Sequence, residues 1–130
     1  MKRYLPSEHD ESLATGIVDC AFSVHSKMGP GLLEPIYETC FCYELTKRGI
    51  PFEQQVRVPL VYDGVKLALG VRLDVFVDRR IICELKAVET MKPLFMAQLL
   101  TQLRLVDCHL GFLINFEVAL IRDGIRRIIR

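Results

Sequence analysis

Apolar residues recur every three or four positions through Leu13, Ile17, Cys20, Ala21, Val24 and Met28, the spacing of one buried helix face. Ser7 stands before this run as an N-cap, with Asp10 and Glu11 in the first turn, and Gly29-Pro30-Gly31 ends it. A second helix is expected from near Leu32, with Pro35 in its first turn, where a missing N–H is tolerated. Leu33, Ile36, Tyr37, Cys40, Phe41 and Leu45 give it an apolar face, Gly49 caps it and Pro51 prevents continuation.

The period then changes to two. Phe52, Val56, Val58, Leu60 and Tyr62 are expected on one face of a strand, followed by the hairpin signal Asp63-Gly64. On the return strand Val65, Leu67, Leu69, Val71, Leu73, Val75 and Val77 are expected to point one way, and Lys66, Ala68, Gly70, Arg72, Asp74 and Phe76 the other. Asp78-Arg79-Arg80 turns the chain into a third strand, Ile81 to Ala87. Pro93 opens a third helix to about Val106, and His109 to Phe116 reads as a buried strand. Val118 to Arg130 suggests a final hairpin about Asp123-Gly124. The expected architecture is a single α/β domain over residues 1–130, with helices flanking a mixed sheet.

The stretch from Asp74 to Lys86 carries the candidate chemistry. Glu84 and Lys86 lie two apart on one strand and share a face. If that strand pairs with its predecessor through the short Asp78-Arg79-Arg80 turn, the Asp74 and Glu84 carboxylates meet. Two hard oxygen ligands suit Mg²⁺ or Mn²⁺, which keep several waters and complete their shell with substrate phosphate. A lysine beside such an ion orients the attacking water and steadies developing negative charge. The competing reading is an exposed sheet face with ordinary charge alternation. The apolar neighbours Ile81, Ile82, Cys83 and Leu85 make the strand look central, where charge is costly without a partner.

Gly31-Leu32-Leu33-Glu34-Pro35-Ile36-Tyr37 is similar to the G-x-x-E-x-x-Y motif of the GxxExxY proteins. Glu84–Glu89, Ala97–Leu100, Gly111–Phe116 and Asp123–Ile128 resemble further blocks of that family, so the likeness runs from about residue 12 to 130. The family is grouped with the PD-(D/E)xK nuclease-like superfamily. The resemblance implies an αβββαβ core, here with an extra N-terminal helix and a C-terminal β-hairpin. It also implies that Asp74, Glu84 and the backbone carbonyl of Leu85 hold a metal, with Lys86 acting on water. Glu34 would be the accessory acid, Tyr37 its neighbour one turn on, and Gln98 the polar residue aimed at metal or nucleophile. Leu73 stands where the literal motif has Pro, and Gln102 where relatives more often have Tyr.

Composition narrows the substrate class. The 17 basic and 16 acidic residues give a net charge of +1, which excludes binding by bulk charge. Residues 1–60 carry 6 basic and 8 acidic groups and the remainder 11 and 8, so the second half is mildly basic. Arg122, Arg126 and Arg127 are candidates for phosphate contacts; a solvated edge strand is the alternative. The hydrophobic fraction of 51% excludes disorder as the main state. Five cysteines without a repeated spacing point to a reducing compartment. With no leader-like run after Met1-Lys2-Arg3 and no membrane-length apolar segment, a cytoplasmic protein is expected.

The expected activity is divalent-metal-dependent hydrolysis of phosphodiester bonds, in DNA first, with Mg²⁺ or Mn²⁺ as cofactor. The alternatives are a non-catalytic nucleic-acid-binding module and a protein-interaction domain. The expected partners are nucleic acid and either a second copy of the chain or a specificity partner, with no membrane.

Overall fold

The computed structural model describes residues 3–130; Met1 and Lys2, which entered the leader argument, lie outside them. Helix α1 (Glu8–Met28) starts as its sequence dictates. The Ser7 hydroxyl accepts from the Asp10 N–H at 3.0 Å, and Asp10 accepts in return from the Ser7 N–H at 3.1 Å. This reciprocal pair satisfies amides that the first helical turn leaves unpaired. Helix α2 (Glu34–Lys47) begins without a side-chain cap, and Pro35 occupies its first turn. No helix among the described residues is long and apolar enough to cross a membrane.

Strands β1 (Phe52–Tyr62), β2 (Val65–Val77), β3 (Ile81–Lys86), β4 (Leu110–Asn115) and β5 (Ile125–Ile129) form a 5-stranded sheet in chain order. All neighbours are antiparallel except β3 and β4, which run parallel because α3 (Pro93–Leu105) crosses over between them. Asp63 and Gly64, and likewise Asp78 and Arg79, adopt positive φ, the hand that fits tight hairpins.

The sheet separates two cores. On one side α1 and α2 pack Ile17, Cys20, Tyr37, Phe41 and Leu45 onto Val75, Val77, Cys83 and Leu85. On the other, Leu99 and Leu103 of α3 meet Leu73, Phe76, Ile82 and Leu113. β3 and β4 are buried almost throughout, as the apolar runs predict. All five cysteines are free thiols, with Cys20, Cys42 and Cys83 buried.

The structure corrects the sequence reading at two places. The expected single stripe on β2 inverts at Asp74: Val75 and Val77 belong to the α1–α2 core, but Leu73 and Val71 pack on the α3 side. Its partner β1 inverts too, with Phe52 on the α1–α2 side and Val56 and Val58 on the α3 side. The cause lies at Gln55, whose φ of 52° places one residue of β1 in the left-handed region and reverses the alternation beyond it.

The second correction concerns the chain end. The terminal hairpin is built from β4 and β5, and Asp123-Gly124 closes a short 3-10 turn, Ile121–Gly124, rather than a hairpin within residues 118–130. Gly124 is required there, because a Cβ would lie 2.1 Å from the Asn115 carbonyl oxygen.

Candidate active site at a fork in the sheet

β2 and β3 pair regularly from Val77 and Ile81 to Val75 and Cys83. The next residues in register are Asp74 and Glu84, and here side chains replace the ladder. Glu84 Oε1 accepts from the Asp74 N–H at 3.0 Å, and Asp74 Oδ2 accepts from the Leu85 N–H at 2.9 Å. The strands therefore part into a fork whose two backbone donors are satisfied by carboxylates. The inversion at Gln55 brings Asp74 to the seam between the two cores, and the alternation of β3 puts Glu84 beside it.

The chemistry of the pair follows from burial. Burial foremost, then the negative charge of Asp74, pushes Glu84 up to about 8. Burial also raises Asp74 above the ordinary carboxylate range, and the backbone donor at Leu85 only partly offsets this. Two acids this close do not both ionise readily without a compensating cation. Lys86 supplies some compensation, since its charge favours the ionised forms of Asp74, Glu84 and Glu34. Its ammonium lies 4.5 Å from the centre of the Phe95 ring, which fixes the lysine over the α3 side.

Glu34, the first residue of α2, stands outside the pair but within its field. Burial raises it, Lys86 lowers it, and Asp74 and Glu38 raise it. Tyr37 is fully buried and stacks on Phe116 at 4.6 Å. Its hydroxyl donates to the Gly29 carbonyl at 2.6 Å and accepts from the Leu32 N–H at 3.1 Å. Tyr37 thus fixes the turn that delivers Glu34 and does not itself face the acids. Leu85 contributes its amide to Asp74 while its side chain lies in the α1–α2 core.

Of the two α3 glutamines, Gln102 rather than Gln98 bears on the acids. Gln98 is exposed on a groove that Gln102 also lines. Gln102, one turn later, is buried, favours the ionised form of Glu84, and leaves its Oε1 without a partner. Two further residues were missed in the sequence. Glu38, at i+4 from Glu34 and so on the same helix face, accepts from Gln55 Nε2 at 2.8 Å and from Gln54 Nε2 at 3.1 Å. It holds the side chain of the residue whose backbone inverts β1. Asn115, buried at the end of β4, clamps the segment after Lys86 by bonding both the N–H and the carbonyl of Val88.

The three C-terminal arginines do not form one patch. Arg127 forks onto Glu11 of α1. Arg126, its neighbour in β5, turns to the other face and lines a groove with Met91, Met96 and Leu100. Arg122 lies beside Phe22 and His25 at the far end of α1. The Arg79-Arg80 turn is likewise engaged: Arg79 pairs with Glu53 at 2.6 Å, and Arg80 lies 3.6 Å from Asp10.

As a donor set, Asp74 and Glu84 fit a hard divalent ion. They offer adjacent carboxyls, Glu84 buried and Asp74 half-buried, both held above the normal range, with an unpartnered amide oxygen next to them. Among the described residues no three His, Cys, Asp or Glu side chains are gathered around one point. An ion here would therefore take two carboxylates and keep much of its own water, which suits magnesium chemistry better than a closed protein cage.

No curated protein matches the chain, and no solved structure does. A family model does match, over residues 11–128, nearly the whole sheet and all three helices. That span, together with a helical entry, a β2–β3 acid pair followed by lysine, and the α3 crossover, makes the chain a member of the PD-(D/E)XK nuclease superfamily.

Proposed function

We propose that this protein is a divalent-metal-dependent nuclease of the GxxExxY kind, hydrolysing phosphodiester bonds, with DNA as the first substrate. The supporting observation is the fork itself. Two acids, Glu84 buried and Asp74 half-buried, meet where the ladder opens, and a lysine follows Glu84 two residues later on the same strand. PD-(D/E)XK nucleases generally use divalent metals, and the oxygen donors here favour Mg²⁺ or Mn²⁺.

In this reading Asp74 and Glu84 would hold the ion, the Leu85 carbonyl would add a ligand, and Glu34 would contribute from α2. The ion, when bound, neutralises charge on the phosphate and lowers the pKa of an attacking water. Lys86 orients that water for in-line attack and steadies the developing negative charge. Gln98 and Gln102 line the approach along α3, and Tyr37 acts at a distance by fixing the entry to α2. The free cysteines suit a reducing compartment, and the cytoplasm is the proposed location.

A non-catalytic nucleic-acid-binding module is the second reading, favoured by the lack of a third gathered acid among the described residues. Incubation of the protein with linear duplex DNA, single-stranded DNA and RNA separates the two. Cleavage that needs Mg²⁺ or Mn²⁺ and stops with chelator is the expected result. Salt-sensitive binding without cleavage in either ion establishes the second reading.

A further inference from the structure

The β1–β2 hairpin is longer than the body requires. Its outer part leaves the two cores, and Val61, Tyr62, Val65 and Leu69 are all more than half exposed. At the root of this arm Arg57 and Arg72 are direct cross-strand partners. Like charges directly opposite repel, and both side chains are exposed. Neither is paired with an acid among the described residues. Arg48, Arg79, Arg80, Arg127 and Arg130 each have an acid. Arg104, Arg122 and Arg126 also lack one among the described residues, but only Arg57 and Arg72 stand opposite each other across a strand pair. An unneutralised arginine pair held in register is the arrangement that a dianionic stretch of backbone would relieve.

The register is built in. It shifts between Pro59 and Val61, and inside the shift Gly70 lies so close to β1 that a Cβ would sit 2.2 Å from the Val58 carbonyl oxygen. That close crossing sets Arg57 opposite Arg72. Arg72 lies two residues from Asp74 and lines, with Arg57, a hollow at the root of the arm. Standing between the α3-facing Val71 and Leu73, it points to the opposite face of the sheet. A polynucleotide with its scissile phosphate at the fork thus has a path along the arm, and a two-stranded ribbon is of a size that the major groove of a duplex admits.

We propose that Arg57 and Arg72 form a paired phosphate-binding site for the nucleic-acid backbone, and that the β1–β2 arm is the principal nucleic-acid contact. This rests on the nuclease-superfamily reading of the fork and assigns to the arm the role first given to Arg122, Arg126 and Arg127.

The test is the salt dependence of binding to a 20-base-pair DNA duplex, in chelator so that cleavage does not intervene. For the double variant Arg57→Gln, Arg72→Gln, the slope of log K against log salt becomes shallower by about 1.8, that is about 0.9 for each lost phosphate contact. The lysine pair Arg57→Lys, Arg72→Lys keeps the wild-type slope, and Arg127→Gln leaves it unchanged. An unchanged slope in the double glutamine variant, with wild-type binding intact, overturns the assignment but not the fork. Wild-type protein that binds no nucleic acid at all overturns both. A Mg²⁺-induced rise in melting temperature, equal in wild type and the double glutamine variant, shows that the fork survives the substitutions.

Discussion

Lys86→Ala slows phosphodiester cleavage by about 10²–10³-fold at saturating Mg²⁺, the scale expected when a group that stabilises transition-state charge is removed. The protein stays folded. Lys86 is only half-buried, and the interaction it loses with the Phe95 ring, at 4.5 Å, is worth about 0.5–1 kcal/mol. The loss therefore falls on kcat, while the melting temperature moves little. Asp74→Ala abolishes cleavage and destabilises more than Lys86→Ala, because the Leu85 N–H loses its acceptor in a buried place, a cost of about 1–3 kcal/mol. Single-turnover rates paired with thermal melts distinguish the two substitutions. A Lys86→Ala protein within threefold of wild type removes Lys86 from the chemistry.

In chelator, the stability of the protein falls as pH rises from about 4.5 to about 8. The sign follows from Glu84. Its folded-state pKa of about 8 lies above its ordinary 4.5, so the folded chain binds more protons than the unfolded chain across that window. The stabilisation is complete below 4.5 and is lost as pH climbs through the folded value. Asp74 shifts the same way. Glu44 acts in the opposite direction and in a separate window. Arg48 and Lys47 hold it down to about 2, so its contribution is present above 4.5 and is lost as pH falls toward about 2.

Glu84→Gln, which keeps an acceptor for the Asp74 N–H, flattens the decline above pH 4.5 and is more stable than wild type at pH 8 without metal. Added Mg²⁺ at one hundred times its dissociation constant restores about 2.7 kcal/mol to wild type at that pH. It restores little to Glu84→Gln. Urea melts at half-unit pH steps measure all of this. A wild-type profile that is level between pH 5 and 8 overturns the account of the acid pair.

Much of this was legible in the residues. Helical spacing and its change to period two gave the element order, because each period reports one buried face. Asp74, Glu84 and Lys86 were found because a short turn and strict alternation bring them together. What escaped depended on tertiary choices. Nothing local marks Gln55 for a left-handed backbone, so the inversion at Asp74 was invisible; the clasp by Glu38 that accompanies it spans α2 and β1. Gln98 and Gln102 lie one turn apart on the same helix, and only the docking of α3 on the sheet decides which meets Glu84. The tight turn pairs Tyr62 with Val65, and continued without interruption that register would set Arg57 opposite Gly70. The shift past Pro59 sets it opposite Arg72 instead.

The fork has a consequence for hydrogen exchange. The amides of Asp74 and Leu85 are held by carboxylates, whereas those of the neighbouring ladder are held by carbonyls. Their exchange with solvent deuterium is therefore governed by local opening of two ionisable side chains rather than by global unfolding. Recruiting those oxygens to an ion changes protection at these two amides and leaves Val77 and Ile81, deeper in the same strand pair, as they were. The site carries its own gauge of occupancy, readable amide by amide before any substrate is known.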